Sequence, residues 1–109
     1  MRNYEQLASV FDQIFNGNQR LDFVFANAGI AEYNDYYAVQ PDTGIPPKPD
    51  LGVVDVNLDG AFYTSYLAIH YFRRSPESTK GDRNLIFTSS IGGIYPCELT
   101  PVYVGTKRT

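Results

Sequence analysis

Two short apolar runs constrain the fold of this chain more than any other feature. They lie at residues 21–26, with the sequence LDFVFA, and at residues 84–88, with the sequence NLIFT. Runs with so few polar positions are typical of strands covered on both faces, as in a parallel sheet. Helical patterns stand before, between and after them. This alternation predicts an α/β fold with parallel strands.

Three segments carry the helical patterns, and a proline-rich and glycine-containing stretch at residues 31–50 reads as a loop. The first helix covers residues 4–15, the second runs from Leu51 to about residues 73–76, and the third starts at residue 102. Helical spacing predicts which apolar side chains face the core. These are Tyr4, Leu7, Ala8, Phe11, Ile14 and Phe15 in the first helix, and Leu51, Val54, Leu58, Phe62, Ile69 and Phe72 in the second.

Composition excludes several classes of protein. With 109 residues the chain is long enough for one domain, and its net charge of −3 gives no basic surface for nucleic acid. The single cysteine, Cys97, cannot form an internal disulfide, and no Cys/His cluster predicts a metal site. No apolar run approaches the roughly 20 residues of a membrane span. We therefore expect a cytoplasmic protein that binds neither membranes nor nucleic acid.

Polar motifs follow the two strands and begin the last helix. The chemistry of the last motif is the most specific: Tyr103 and Lys107 lie four residues apart, so they share one helix face. An ammonium group beside a phenol favours the phenolate, which suits proton transfer to or from a substrate oxygen. The motifs are Asn27-Ala28-Gly29, Asn57 within Val56-Asn57-Leu58-Asp59-Gly60, Thr88-Ser89-Ser90, and Tyr103-Val104-Gly105-Thr106-Lys107.

In this order and at these intervals, the motifs resemble those of the classical short-chain dehydrogenase/reductase family. The resemblance covers essentially the whole chain. It implies that Tyr103 is the acid/base and that Lys107 favours its ionised form. It also implies that Ser90 anchors the substrate oxygen and that Asn57 supports a proton relay. Ser90 rather than Ser89 matches the family, because it precedes Tyr103 by 13 residues.

The same resemblance implies a cofactor and partners. NAD or NADP would be bound by Asn27, Ala28 and Gly29 together with Tyr103 and Lys107. The substrate would be a small alcohol or ketone that exchanges a hydride with the nicotinamide. The family commonly packs its long helix in a subunit interface, which implies a homo-oligomer formed through residues 50–74.

One family feature is missing from this sequence. No two of the nine glycines are separated by a single residue, so the Gly-x-Gly turn that binds the dinucleotide phosphates is absent. The resemblance starts before the family's fourth strand and ends just after the catalytic lysine. We therefore expect residues 1–109 to form a single partial NAD(P)-binding domain of Rossmann type. Its doubly wound parallel sheet would be incomplete, with strands four and five and their flanking helices, and marginally stable alone.

Two alternatives remain at this point. The chain could be a truncated, non-catalytic homologue that only associates with a full-length relative. It could also be an unrelated α/β binding module, since each motif alone has an ordinary explanation. Tyr103 and Lys107 could be a surface pair, Ser90 a turn residue, and Asn57 a hydrogen-bonded core residue.

Overall fold

The computed structural model describes residues 3–32, 35–39, 44–95 and 97–109. Helices and strands alternate along the chain in the predicted order. The elements are α1 (Tyr4–Asn18), β1 (Phe23–Ala26), α2 (Gly52–Val54), a π-helical turn (Asp55–Asp59), α3 (Gly60–Arg74), a 3₁₀ helix (Glu77–Asp82), β2 (Asn84–Phe87), a second 3₁₀ helix (Ile91–Gly93) and α4 (Pro101–Arg108). The helix predicted from Leu51 is therefore a continuous run of α2, the π-helical turn and α3.

The two strands pair in parallel, with Phe23 opposite Asn84 and Ala26 opposite Phe87. Both strands therefore end at the same edge of the sheet. The prediction that the run at residues 21–26 is covered on both faces is wrong for the described residues. Val24 points into the core, whereas Phe23 and Phe25 on the other face are 55% and 54% exposed. Helices α1 and α3 lie on the Val24 side, so the described sheet has one helical layer.

The core forms where α1, α3 and β1 meet. Phe15 and Tyr71 are both buried, and their rings lie 5.3 Å apart. The Tyr71 hydroxyl donates a hydrogen bond to Asp12 at 3.1 Å, so the buried phenol has a partner. Asn3 begins α1 by accepting a hydrogen bond from the Gln6 backbone N–H. The buried core side chains are Leu7, Phe11, Phe15, Leu21, Val24, Leu67, Ala68 and Tyr71.

The face predicted for the long helix is wrong for most of its length, although Phe72 does pack against the core. Phe62, with 65% of its surface exposed, and Ile69 both point away from the core. The reason is that Phe11 and Phe15 of α1 pack against the Tyr71 ring, so the Tyr71 side of α3 faces the core. The buried residues of this run are Gly52, Val53, Asn57, Gly60, Thr64, Leu67, Ala68 and Tyr71, of which the last three belong to the core cluster.

Each helix in the described part of the chain is too short or too polar to cross a lipid bilayer.

Candidate active site

The predicted site residues converge where the two strands end. Because β1 and β2 are parallel, the turn Asn27–Gly29 and the segment Thr88–Ser90 leave the sheet at the same edge. A hydrogen bond of 2.7 Å from the Thr88 hydroxyl to the Asn27 side-chain oxygen joins them. The backbone N–H of Thr88 also donates to the Ala26 carbonyl at 3.1 Å. These two bonds hold the segments together at that edge of the sheet.

Tyr103 and Lys107 share one side of α4, as their spacing predicts. The Lys107 Nζ atom lies 5.7 Å from the centre of the Tyr103 ring. The same ammonium donates a hydrogen bond of 3.2 Å to the Thr88 carbonyl, which fixes it beside the end of β2. A cleft of about 300 Å³ lies in front of this pair. Its walls are Asn27, Gly29, Ile30, Ala31, Thr88, Ser89, Tyr103 and Lys107.

Ser90 is half-buried and precedes the second 3₁₀ helix. Its hydroxyl oxygen accepts a hydrogen bond of 3.1 Å from the Gly92 backbone N–H. A Cβ atom at Gly92 would lie 3.5 Å from both Ser90 Oγ and Tyr103 Cε1. The Ser90 hydroxyl and the Tyr103 ring therefore both lie beside Gly92. Ser89, rather than Ser90, contributes to the wall of the cleft.

Asn57 is 8% exposed and lies in the π-helical turn. Its side-chain oxygen accepts from the Ile30 N–H at 2.8 Å, and its Nδ2 donates to the Ile30 carbonyl at 2.8 Å. Nδ2 also donates to the Thr106 hydroxyl at 3.1 Å. The amide thus links the segment after β1 to α4, one residue before Lys107.

Gly29 brings the turn after β1 close to these groups. A Cβ atom there would lie 3.4 Å from Lys107 Nζ and 3.4 Å from Asn57 Oδ1. A glycine in this position leaves backbone open to a ligand. Of the predicted site residues, the structure places Asn27, Gly29, Tyr103 and Lys107 on the cleft. Asn57 lies behind Gly29 and Ser90 beside the Tyr103 ring, and neither they nor Ala28 line the cleft.

Three contributors to the site were not predicted from the sequence. Glu32 accepts hydrogen bonds from the first turn of α4, and Thr106 links Asn57 to the same helix. Gly93 permits a close approach between the second 3₁₀ helix and α4. Two of these contacts join residues far apart in sequence, so only the folded chain reveals them.

A Gly93→Ala substitution is expected to destabilise the full-length protein by about 1–3 kcal/mol, as overpacking does. The added Cβ would lie 2.6 Å from the Lys107 carbonyl oxygen and 3.1 Å from Ser89 Oγ. Thermal unfolding measures the effect. Gly105→Ala is the matched control, because a Cβ there meets nothing within 4 Å. It should stabilise α4 by about 1 kcal/mol. Equal melting temperatures for the two variants would contradict the contact.

The sequence did not predict that the pKa of the Cys97 thiol is lower than usual. A hydrogen bond with the Thr100 side chain, followed by one with the Leu99 backbone, lowers the pKa of the exposed thiol. A lower pKa gives more thiolate at neutral pH, so iodoacetamide should alkylate Cys97 faster in the folded protein than in urea. The rate should fall in Thr100→Val. An unchanged rate in this variant would exclude the hydroxyl as the cause.

The comparisons with known proteins identify the family to which this fold and these motifs belong. The family model described as short chain dehydrogenase matches residues 1–109. The chain belongs to the short-chain dehydrogenase/reductase family of oxidoreductases. The family predicted from the motifs is therefore confirmed.

Two relatives and one solved structure illustrate the similarity. The chain is 42% identical to short-chain dehydrogenase/reductase prx7 of Penicillium rubens, over 95% of this chain and 38% of that protein. It is 32% identical to NADP-dependent dehydrogenase M3 of a Phoma species, over 97% of this chain and 34% of that protein. Ligand-free aldohexose dehydrogenase of Thermoplasma acidophilum superposes with a TM-score of 0.76 at 26% identity, over 98% of this chain and 38% of that one.

These comparisons also confirm the predicted fold class, a Rossmann-like α/β arrangement around a parallel sheet. The chain spans between about a third and two fifths of the length of the proteins it matches. The described strands correspond to a small part of such a sheet.

Proposed function

We propose that this chain forms the catalytic part of an NAD(P)-dependent oxidoreductase that interconverts an alcohol and a ketone. Residues 1–109 would be a partial NAD(P)-binding domain of Rossmann type. The observation that carries the proposal is the convergence of Tyr103, Lys107 and Gly29 on one cleft. Hydride transfer at a carbinol carbon needs a group that exchanges a proton, a neighbouring positive charge and backbone that the cofactor can approach. The cleft provides them as the Tyr103 phenol, the Lys107 ammonium group and the backbone of Gly29.

The residues fit a nicotinamide cofactor. Gly29 presents backbone without a side chain, and Lys107 Nζ lies close enough that a Cβ on Gly29 would be 3.4 Å from it. The Lys107 ammonium can donate hydrogen bonds to ribose hydroxyls as well as to Thr88. The relative M3 is NADP-dependent by its name, which supports NADP as one candidate. When bound, the nicotinamide supplies or accepts the hydride.

The protein residues carry the proton and hold the substrate. During ketone reduction the Tyr103 hydroxyl would give its proton to the substrate oxygen, and during alcohol oxidation the phenolate would take it back. Lys107 Nζ, 5.7 Å from the centre of the Tyr103 ring, would place a positive charge beside the phenol during this transfer. The Ser90 hydroxyl would donate a hydrogen bond to the same substrate oxygen. Asn57 would keep the turn after β1 fixed beside α4, as its bonds to Ile30 and Thr106 indicate.

Cofactor binding tests the proposal without knowledge of the substrate. In calorimetry, the full-length protein should bind NADPH or NADH, and Gly29→Val should weaken binding at least tenfold. The two methyl groups of the valine would occupy the space between Lys107 and Asn57. Gly81→Val is the matched control, because a Cβ there has open space around it. No binding of either nucleotide, or equal binding by both variants, would contradict the proposed cofactor site.

A second proposal concerns association between copies of the chain. Phe62, Tyr66 and Ile69 lie on the outer side of α3 and are exposed. An apolar strip of this kind supports a homo-oligomeric contact through residues 50–74. Sedimentation of the full-length protein should show a smaller species in the double variant Phe62→Ser/Tyr66→Ser. An unchanged sedimentation coefficient would contradict the contact, and Val39→Ser, on an exposed loop, serves as control.

A further inference from the structure

The first turn of α4 presents backbone donors that its own sequence does not satisfy. Thr100 precedes the helix and makes no side-chain capping bond, and Pro101 at the first position has no N–H. The N–H of Val104 donates to the Thr100 carbonyl at 3.0 Å. The N–H groups of Val102 and Tyr103 therefore need an acceptor from elsewhere in the chain.

Glu32 supplies both acceptors. Its Oε1 accepts from the Val102 N–H at 3.0 Å, and its Oε2 accepts from the Tyr103 N–H at 2.9 Å. The glutamate is half-buried and precedes these residues by 70 and 71 positions. A carboxylate that accepts one hydrogen bond on each of its oxygens fixes both the position and the orientation of the helix end it binds. Its negative charge also complements the positive end of the helix dipole.

The segment that carries Glu32 is fixed at a second point. Ile30, two residues earlier, is held through both its N–H and its carbonyl by Asn57. Gly29 lies beside Lys107, and Glu32 binds the backbone of Tyr103. The segment from Gly29 to Glu32 therefore has little freedom to shift along α4. Its contacts with Asn57 and with the first turn of α4 together fix the position of Tyr103 relative to the turn after β1.

We propose that Glu32 is a positioning residue for the reaction, which holds the Tyr103 turn of α4 against the nicotinamide-binding turn Asn27–Gly29. This role rests on the proposed function. It acts through the backbone of Tyr103, so Glu32 need not touch either substrate or cofactor. Reacting groups lose rate steeply when they are displaced, and a shift of about 1 Å can cost about 10²-fold.

The chemistry of the carboxylate predicts a graded series. Glu32→Gln keeps the length and one acceptor oxygen, but its NH₂ group cannot accept from the second N–H. Glu32→Ala removes both acceptors. Glu98→Gln is the matched control, because Glu98 is an exposed glutamate in the loop that leads into the same helix. A structural role without an effect on the reacting groups would lower the melting temperature and leave kcat unchanged.

Hydrogen exchange of the full-length protein tests the contact independently of activity. In mass spectrometry, peptides containing Val102 and Tyr103 should exchange at least tenfold faster in Glu32→Ala. Glu32→Gln should be intermediate, and Glu98→Gln should match the unsubstituted protein. Equal exchange in Glu32→Ala and the unsubstituted protein would overturn the proposal.

Kinetics tests the positioning role. We expect kcat to fall at least tenfold in Glu32→Ala and less in Glu32→Gln, with the KM for NAD(P)H changed less than twofold in both. If Glu32→Ala fails to fold, the Glu32→Gln variant carries the comparison. An unchanged kcat in folded Glu32 variants would overturn the positioning role alone. Absence of turnover in the unsubstituted protein would overturn the proposed function, and the positioning role with it.

Discussion

Replacing Tyr103 with phenylalanine is expected to lower the kcat of the full-length protein by about 10²–10⁴-fold, the usual contribution of a positioned acid/base. The phenylalanine ring keeps the packing against Gly92 but has no hydroxyl proton to exchange with the substrate. Binding of NAD(P)H should weaken much less than kcat falls, because Lys107 and Gly29 are untouched and Tyr103 is one of several cofactor-binding residues. Steady-state kinetics and calorimetry measure the two quantities separately.

Tyr66→Phe is the control for this substitution. Tyr66 is an exposed tyrosine on the outer side of α3, so the loss of its hydroxyl should leave kcat unchanged. If Tyr103→Phe retains full activity, Tyr103 is not the acid/base. If the variant also loses NAD(P)H binding, the tyrosine serves the cofactor site rather than proton transfer.

Replacing Ser90 with alanine is expected to lower kcat by about 10²–10³-fold, as the loss of one hydrogen-bond donor to a substrate oxygen does. Ser90 Oγ and Tyr103 Cε1 both lie 3.5 Å from the position that a Cβ on Gly92 would take, so the serine lies beside the tyrosine ring. The Ser90 oxygen accepts from the Gly92 N–H, and its own hydroxyl hydrogen remains available as a donor.

Ser89→Ala separates the two neighbouring serines. The interval of 13 residues to Tyr103 favours Ser90, whereas the cleft wall includes Ser89. We expect Ser89→Ala to keep kcat within about threefold of the unsubstituted protein, a difference of about 0.7 kcal/mol in activation free energy. A large loss in Ser89→Ala with little change in Ser90→Ala would reverse the assignment.

The sequence predicts the order of elements because each has a strong local pattern. Two apolar runs and three helical patterns suffice for a parallel α/β arrangement, and the residues after each strand then share one edge. The predicted site residues are brought together for this reason. Parallel pairing alone brings Asn27 and Thr88 within a hydrogen bond of each other, although 61 positions separate them.

Other features depend on information that local patterns do not contain. The core face of the long helix could not be predicted from large apolar residues, because the small residues Gly60, Thr64 and Ala68 are buried while Phe62 and Ile69 are exposed. The π-helical turn at Asp55–Asp59 also has no simple sequence signal. An apolar pattern therefore identifies the helix but leaves its rotation about its axis open.

Glu32 illustrates the same limit within the site. A helix that begins with Thr100 and Pro101 lacks a local capping bond, and this absence was the only available signal. The acceptor for the first turn of α4 is instead supplied by Glu32, in the loop that follows β1. Many acidic residues could have filled the role, and only the fold selects Glu32.

Hydride transfer from labelled cofactor to a carbonyl substrate tests the central claim most directly. The full-length protein would be incubated with NADPH or NADH deuterated at the transferring carbon and with a panel of ketones. Mass spectrometry of the products would follow. We predict an alcohol that carries one deuterium on its carbinol carbon, and loss of that product in Tyr103→Phe. If the folded, cofactor-bound protein transfers deuterium to none of the ketones, or if Tyr103→Phe transfers it equally well, the account given for this site is wrong.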